Sequence, residues 1–311
     1  MTILLSGASG FVGKAILQTA QQRDLKIRPV YRSVASAKGQ AGAALVSGLT
    51  SATDWSRALQ GVDVVIHAAA RVHIMRDELL DPLAEFRRVN VEGTLNLARQ
   101  AAAARVRRFV FISSIKVNGE ETAPGRTFTA HDVPAPEDAY GMSKAEAEVE
   151  LRRVAEETGM EVTIIRPPLI YGPGVKGNFA SLILWVRRGV PLPLGGVTQN
   201  RRSLLGLDNL VDFIWICAEH PKAANQTFLV SDGEDLSTTD LLRRIGQASQ
   251  RKARLLWVPP SVIAFMASLM GKKLISQRLL GSLQVDIQKT CDLLSWKPPV
   301  TIDEGLRRAV E

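Results

Sequence analysis

Thr2-Ile3-Leu4-Leu5, followed by Ser6-Gly7-Ala8-Ser9-Gly10-Phe11-Val12-Gly13, is the stretch that decides the fold of this chain. The apolar run has the length of a short buried strand, and beyond Gly13 the apolar positions Ala15, Ile16 and Ala20 fit a helix. A glycine triplet between a strand and a helix predicts a phosphate-binding turn. Gly7 suits the backbone angles of a tight turn, Gly10 has no side chain to block a pyrophosphate, and Gly13 lets the helix pack close to the strand. The helix N-terminus then offers free N–H groups and a partial positive charge. Ser9, Phe11 and Val12 complete the predicted cofactor-binding segment.

Working outward, strand-like runs at Lys26 to Tyr31, Val62 to Ala68, Phe109 to Ile112 and Val162 to Arg166 alternate with helical patterns such as Asn90 to Ala104 and Tyr140 to Thr158. Such alternation predicts an α/β fold: a doubly wound parallel Rossmann sheet covered on both faces. After Pro167-Pro168 the turns Gly172-Pro173-Gly174 and Pro191 to Gly196 break the pattern. Thr227 to Val230 returns as a late strand, and the rest is mostly helical. The expected division is a dinucleotide-binding domain of residues 1–167 and 203–232, with a smaller substrate lobe of residues 168–202 and 233–311.

The chain has 311 residues, 46% hydrophobic and 23% charged, which suits a globular enzyme with a sizeable core. Its net charge of +8 comes from scattered basic residues without a nucleic-acid-binding motif, so anionic small molecules are the expected partners and nucleic acid is not. Cys217 and Cys291 have no metal-ligand spacing, so no metal is expected and the cysteines fit a reducing cytoplasm. With the first apolar run starting at Thr2, no secretory presequence is expected. The apolar run Ser261 to Met270 is shorter than the ~20 residues a membrane span needs, which predicts a buried or interfacial helix.

Three places in the sequence carry chemistry. Arg32 follows the second strand, where an NAD-binding chain usually has an acid for the ribose hydroxyls. A guanidinium there pairs with a 2′-phosphate, and Arg28 is close by, so NADPH is expected over NADH. Tyr140 and Lys144 stand four apart in a helical pattern and so share a face. A cation beside the phenol is expected to lower its pKa and let Tyr140 exchange a proton. Ser113-Ser114 ends a strand, where active sites of such sheets gather.

Gly7-Ala8-Ser9-Gly10-Phe11-Val12-Gly13, His67-Ala68-Ala69-Ala70, Asn90-Val91-Glu92-Gly93-Thr94, Ser113-Ser114, Tyr140-Gly141-Met142-Ser143-Lys144 and Arg166-Pro167-Pro168 occur in the order seen in extended short-chain dehydrogenases/reductases. The resemblance runs over essentially the whole chain, to Leu294-Ser295-Trp296-Lys297-Pro298. It implies Tyr140 as proton donor or acceptor at a sugar oxygen, Ser114 as the group polarising that oxygen, and Lys144 as a holder of the nicotinamide ribose. Further cofactor contacts are implied at Leu49, Ala68, Ala69, Ala70 and Pro167. For a UDP-sugar substrate it implies Asn178 and Arg202 at the diphosphate and uridine, with His73 and Lys116 as further candidates. A homodimer through the helices at 90–104 and 140–158 is common among such relatives.

Dehydratases of this family carry an Asp-Glu pair directly after the catalytic serine or threonine. Here Ile115-Lys116 stands in that place, which argues against water elimination. The segments at 69–73, 113–119 and 279–286 are most similar to a branch that reduces the C-4 ketone of a UDP-4-keto-6-deoxy-N-acetylhexosamine with NADPH. That branch makes UDP-N-acetylquinovosamine or its C-4 epimer for bacterial O-antigen and lipopolysaccharide. This reduction is the leading expectation. The alternatives are a UDP-hexose 4-epimerase with tightly bound NAD and a non-catalytic NADP-sensing regulator.

Overall fold

The computed structural model describes residues 1–37, 39–40, 42–72, 81–271 and 273–311. Ten strands are formed among them: β1 (Thr2–Ser6), β2 (Lys26–Tyr31), β3 (Ala44–Leu45), β4 (Val64–His67), β5 (Arg108–Ile112), β6 (Glu161–Arg166), β7 (Leu169–Tyr171), β8 (Arg202–Gly206), β9 (Thr227–Leu229) and β10 (Asp235–Leu236). Seven of these make one parallel sheet in the order β3-β2-β1-β4-β5-β6-β9. The order reverses beside β1, so the carboxyl ends of β1 and β4 flank the crevice in which such sheets bind ligands.

The central strands β4 and β5 are buried throughout, as expected for a sheet covered on both faces. Ile3, Leu5, Val64 and Ile66 face a core shared with the helices Phe11–Gln22 and Leu207–Glu219. Leu4, Val65, Phe109 and Phe111 face the opposite core, with Leu97, Ala101, Ala147 and Leu151. This is the period-two alternation of a strand read out on two helical layers.

A smaller sheet, β10-β8-β7, pairs β7 and β8 parallel and β8 and β10 antiparallel. Around it Tyr171, Phe179, Leu182, Leu204, Leu242 and Leu306 form a separate core. The chain passes between the two sheets three times, from β6 to β7, from β8 through the helix Leu207–Glu219 to β9, and from β9 to β10. The chain leaves the carboxyl end of β6 and enters the smaller sheet at β7, so that sheet follows on from the carboxyl edge of the large one. No described helix is long and apolar enough to cross a membrane.

Candidate active site

The glycine turn has the geometry its spacing predicts. Gly7 lies at φ +75°, and a Cβ there would stand 2.6 Å from the Ala69 nitrogen, so the turn is pressed against the chain leaving β4. A Cβ on Gly13 would come within 2.1 Å of the Gly7 carbonyl oxygen. The Gly10 N–H donates to that oxygen at 2.9 Å. The helix Phe11–Gln22 then begins with no side-chain cap and no acid in its first turn. Its leading N–H groups are left for an anion, and the cradle fits a dinucleotide pyrophosphate.

Around the turn, Ser9 and Gly10 are exposed, while Phe11 and Val12 are half-buried. Ala68 and Ala69 donate their N–H groups to the Ser6 carbonyl (3.3 Å) and hydroxyl (3.4 Å), which fixes the backbone as far as Ala70. Leu49 packs on Gly93, where a Cβ would sit 2.7 Å from the Leu49 carbonyl. Pro167 is buried just past β6 and accepts from the Ile115 N–H at 3.0 Å. Arg32 is exposed at the end of β2. Arg28 is a correction: its guanidinium donates to the carbonyls of Ala58 and Gln60 at 2.6 and 2.8 Å, so it ties β2 to a neighbouring turn. The expected two-arginine phosphate site is reduced to Arg32.

Tyr140 and Lys144 lie on the helix Ala139–Thr158. Asp138 caps it by accepting from the Gly141 N–H at 2.7 Å, and Gly159 closes it at φ +75°. One face, through Lys144, Ala147, Glu148 and Leu151, is buried against the sheet. Gly141 abuts the turn Ile115–Val117: a Cβ there would stand 2.8 Å from the Lys116 carbonyl. That contact brings the half-buried Ser114, the cap of the turn, against the first turn of the helix carrying Tyr140. Ser113 faces the other way and donates to Glu148 at 2.5 Å.

The electrostatics differ from expectation. Lys144 donates to the Ile112 carbonyl at 2.8 Å and lies 4.4 Å from the Phe111 ring centroid. Burial lowers its pKa to about 7, with Glu148 opposing. Tyr140 has its pKa raised, by burial and then by the negative charge of Asp138. In the protein alone, Lys144 therefore does not bring the phenol down: its ammonium is turned to the strand and is itself disfavoured. His67, fully buried between Ser6 (2.5 Å) and Thr94 (2.9 Å), is held neutral, its pKa lowered to about 3 by burial and by Lys144.

Several supporting residues carried no assigned role in the sequence reading. Asn90 sits buried in a π-helical turn, Arg87–Gly93, a form common at functional sites. Its side chain accepts from the Arg71 N–H (2.8 Å) and donates to the Arg71 carbonyl (3.1 Å) and the Ser143 hydroxyl (3.0 Å). Beneath the site, Arg166 donates to Glu148 (2.6 Å) and Asn118 (2.9 Å), tying β6 to the helix and to the end of the turn Ile115–Val117. The signals were in view, a polar residue inside an otherwise apolar helix face and an arginine ending a central strand, but only packing shows what they bind.

On the substrate side, Lys116 pairs with Glu120 at 2.6 Å and with Asp138, so its ammonium holds the helix cap. Asn178 is exposed in the first turn of the helix Gly177–Arg187. Arg202, on β8, donates to the Gly281 carbonyl at 3.2 Å, and burial lowers its pKa. Among the described residues, no hydrogen bond or ion pair joins Asn178 or Arg202 to Ser114, Tyr140 or Lys144. His73 lies outside the described residues. No cluster able to hold a metal occurs among the described residues.

The model of the NAD dependent epimerase/dehydratase family matches residues 3–231, from β1 through β9. The chain belongs to this family. It is 46% identical over 311 residues to a UDP-glucose 4-epimerase of Vibrio cholerae, covering 100% of this chain and 94% of that protein. The structure of a Bacillus cereus UDP-glucuronic acid 4-epimerase in complex with NAD superposes with a TM-score of 0.79 at 20% identity, covering 100% of this chain and 97% of the other. A UDP-glucose 4-epimerase with UDP-glucose from Thermotoga maritima gives 0.78 at 20% identity over the same shares. At that identity the two structures establish the fold.

The full-length likeness to an epimerase overturns the expected 4-keto reduction. The expectation rested on Arg32 and on short local segments at 69–73, 113–119 and 279–286, which weigh less than identity along the whole chain. Residues 279–286 prove architectural: Leu283 and Val285 sit in a small core with Ile115 and Leu229, and the Gln284 amide donates to Asp235 at 2.7 Å.

Proposed function

We propose that this chain is a UDP-hexose 4-epimerase working on a retained NAD. The observation that carries the reading is the 46% identity, end to end, with the Vibrio cholerae UDP-glucose 4-epimerase. The site supports it. Tyr140 takes the proton of the 4-hydroxyl as C-4 is oxidised and gives it back when C-4 is reduced on its other face. Ser114, at the cap of its turn, hydrogen-bonds to the same oxygen in both half-reactions. When bound, NAD supplies the hydride acceptor and donor and one positive charge in the cleft. Gly7, Ser9, Gly10, Phe11, Val12 and Gly13 would hold the pyrophosphate, Leu49 the adenine, and Ala68 to Ala70, Lys144 and Pro167 the nicotinamide half. Arg202 and Asn178 are the proposed contacts to the UDP.

NAD is preferred over NADPH because Arg28 is occupied by backbone carbonyls, which among the described residues leaves the exposed Arg32 of the expected arginine pair. Incubation with UDP-glucose should give an equilibrium mixture with UDP-galactose, read by NMR of the anomeric protons, without added nucleotide. Net consumption of NADPH, or absence of the C-4 epimer with NAD bound, would overturn the reading.

A further inference from the structure

The helix Pro260–Leu269 differs from the others in having no buried residue. Phe265 and Leu269 are 64% and 68% exposed, and Trp257, just before the helix, is 74% exposed. Val262 and Met266 are exposed as well. An isolated apolar side chain on a surface needs no explanation, but a contiguous set of this kind marks an interaction face.

The charge beside it identifies the partner. From Leu241 to Val285 the sequence has eight lysines and arginines and not one aspartate or glutamate. Arg251, Lys252 and Arg254 are exposed in the strand-like segment that leads into Trp257. With Arg187 and Arg188 they line one groove, continuous with Leu255 and Leu256. That segment is fixed in place by hydrogen bonds of 2.8 Å from the Leu192 N–H to the Arg254 carbonyl and from the Leu256 N–H to the Leu192 carbonyl. Along the chain, a row of exposed cations therefore leads through an exposed tryptophan into an apolar helix. This pairing matches the two layers of an anionic bilayer surface, phosphate headgroups over acyl chains.

We propose that the face formed by Arg251, Lys252, Arg254, Trp257, Phe265 and Leu269 docks on an anionic membrane surface. The helix lies in the plane of the interface, with its apolar side chains at the acyl boundary and the arginines among the headgroups. The proposal is independent of the reaction assigned above.

The test is flotation of the full chain with vesicles of mixed phosphatidylglycerol and phosphatidylcholine, against pure phosphatidylcholine, over a range of salt. The chain should float with the anionic vesicles only. Phe265→Ser with Leu269→Ser, which alters no charge, should abolish flotation. Arg251→Gln with Lys252→Gln should weaken it roughly fivefold per cation removed. Circular dichroism and the thermal midpoint should be unchanged in both variants, showing that they fold. Anionic flotation that survives Phe265→Ser with Leu269→Ser would mean a general attraction of a basic chain and overturn the proposal. So would no flotation at low salt, or a dimer in solution that the serine pair breaks while vesicles are ignored, which would assign the face to a second copy of this chain.

Discussion

Replacing Lys144 with methionine should make the cofactor-free protein more stable while removing its activity. Lys144 is 2% exposed and its pKa falls from 10.5 to about 7, chiefly because burial disfavours the ammonium. The unfolded chain binds this proton up to pH 10.5 and the folded chain only up to about 7. Between those values the unfolded state holds more protons, so stability rises with pH and the penalty is nearly complete at pH 7. At about 1.4 kcal/mol for each pH unit of that gap, the ammonium costs on the order of 4 kcal/mol at pH 7. Methionine removes this cost but also loses the hydrogen bond to the Ile112 carbonyl, worth roughly 1.5–3 kcal/mol as a charged bond. A net gain of about 1–2 kcal/mol at pH 7 follows, or a few degrees in Tm for a chain of this size. The assay is urea or thermal unfolding of both proteins stripped of cofactor, since bound dinucleotide stabilises whichever form holds it. The gain should shrink steadily from pH 7 towards pH 10. A Lys144→Met protein less stable at pH 7, or a difference that does not change with pH, would refute the argument that the lysine is held against its own preference.

The other expectations concern the rest of the site. Tyr140→Phe should slow interconversion of UDP-glucose and UDP-galactose about 10²–10⁴-fold while NAD absorbance on the purified protein stays unchanged. Glu148→Gln leaves Arg166 buried without its carboxylate and should cost about 3–5 kcal/mol in urea unfolding. Gly13→Ala places a methyl 2.1 Å from the Gly7 oxygen, so the protein should purify without dinucleotide, checked by its absorbance spectrum. Arg32→Ala should leave turnover with retained NAD within about twofold, because one exposed arginine with no phosphate to bind adds little; a large loss in kcat/KM would show that Arg32 reads the cofactor.

Much of the fold was legible because it is written in local pattern. The strand–glycine–helix start and the alternating runs state a parallel sheet, and β1, β2, β4, β5 and β6 form where apolar runs stand. Chirality and burial then leave few arrangements for their connection. Illegible parts depend on contacts distant in sequence. Arg28 reads as a ligand group beside Arg32 until its carbonyl partners at 58 and 60 are seen. Lys116 stands beside Ser114 in the sequence, and its pairing with Asp138, 22 residues on, shows only in the fold. Gly141 reads as a spacer until the Lys116 backbone is found against it.

The reaction itself was the hardest feature to read, for a reason that lies in the chemistry. The proton transfer at a sugar oxygen proposed for Ser114, Tyr140 and Lys144 is identical whether the carbinol carbon is oxidised once, reduced once, or both in turn. The acid pair that water elimination adds is visible in a sequence, and Ile115-Lys116 in its place speaks against dehydration. Epimerisation adds no residue of that kind. It asks that the cofactor stay and that the 4-keto sugar turn over before hydride returns. Neither demand falls on one residue type at a fixed spacing, because retention and reorientation are spread over many contacts. A single position such as Arg32 could not carry that distinction, so likeness along the entire length of the chain was needed to correct the reading.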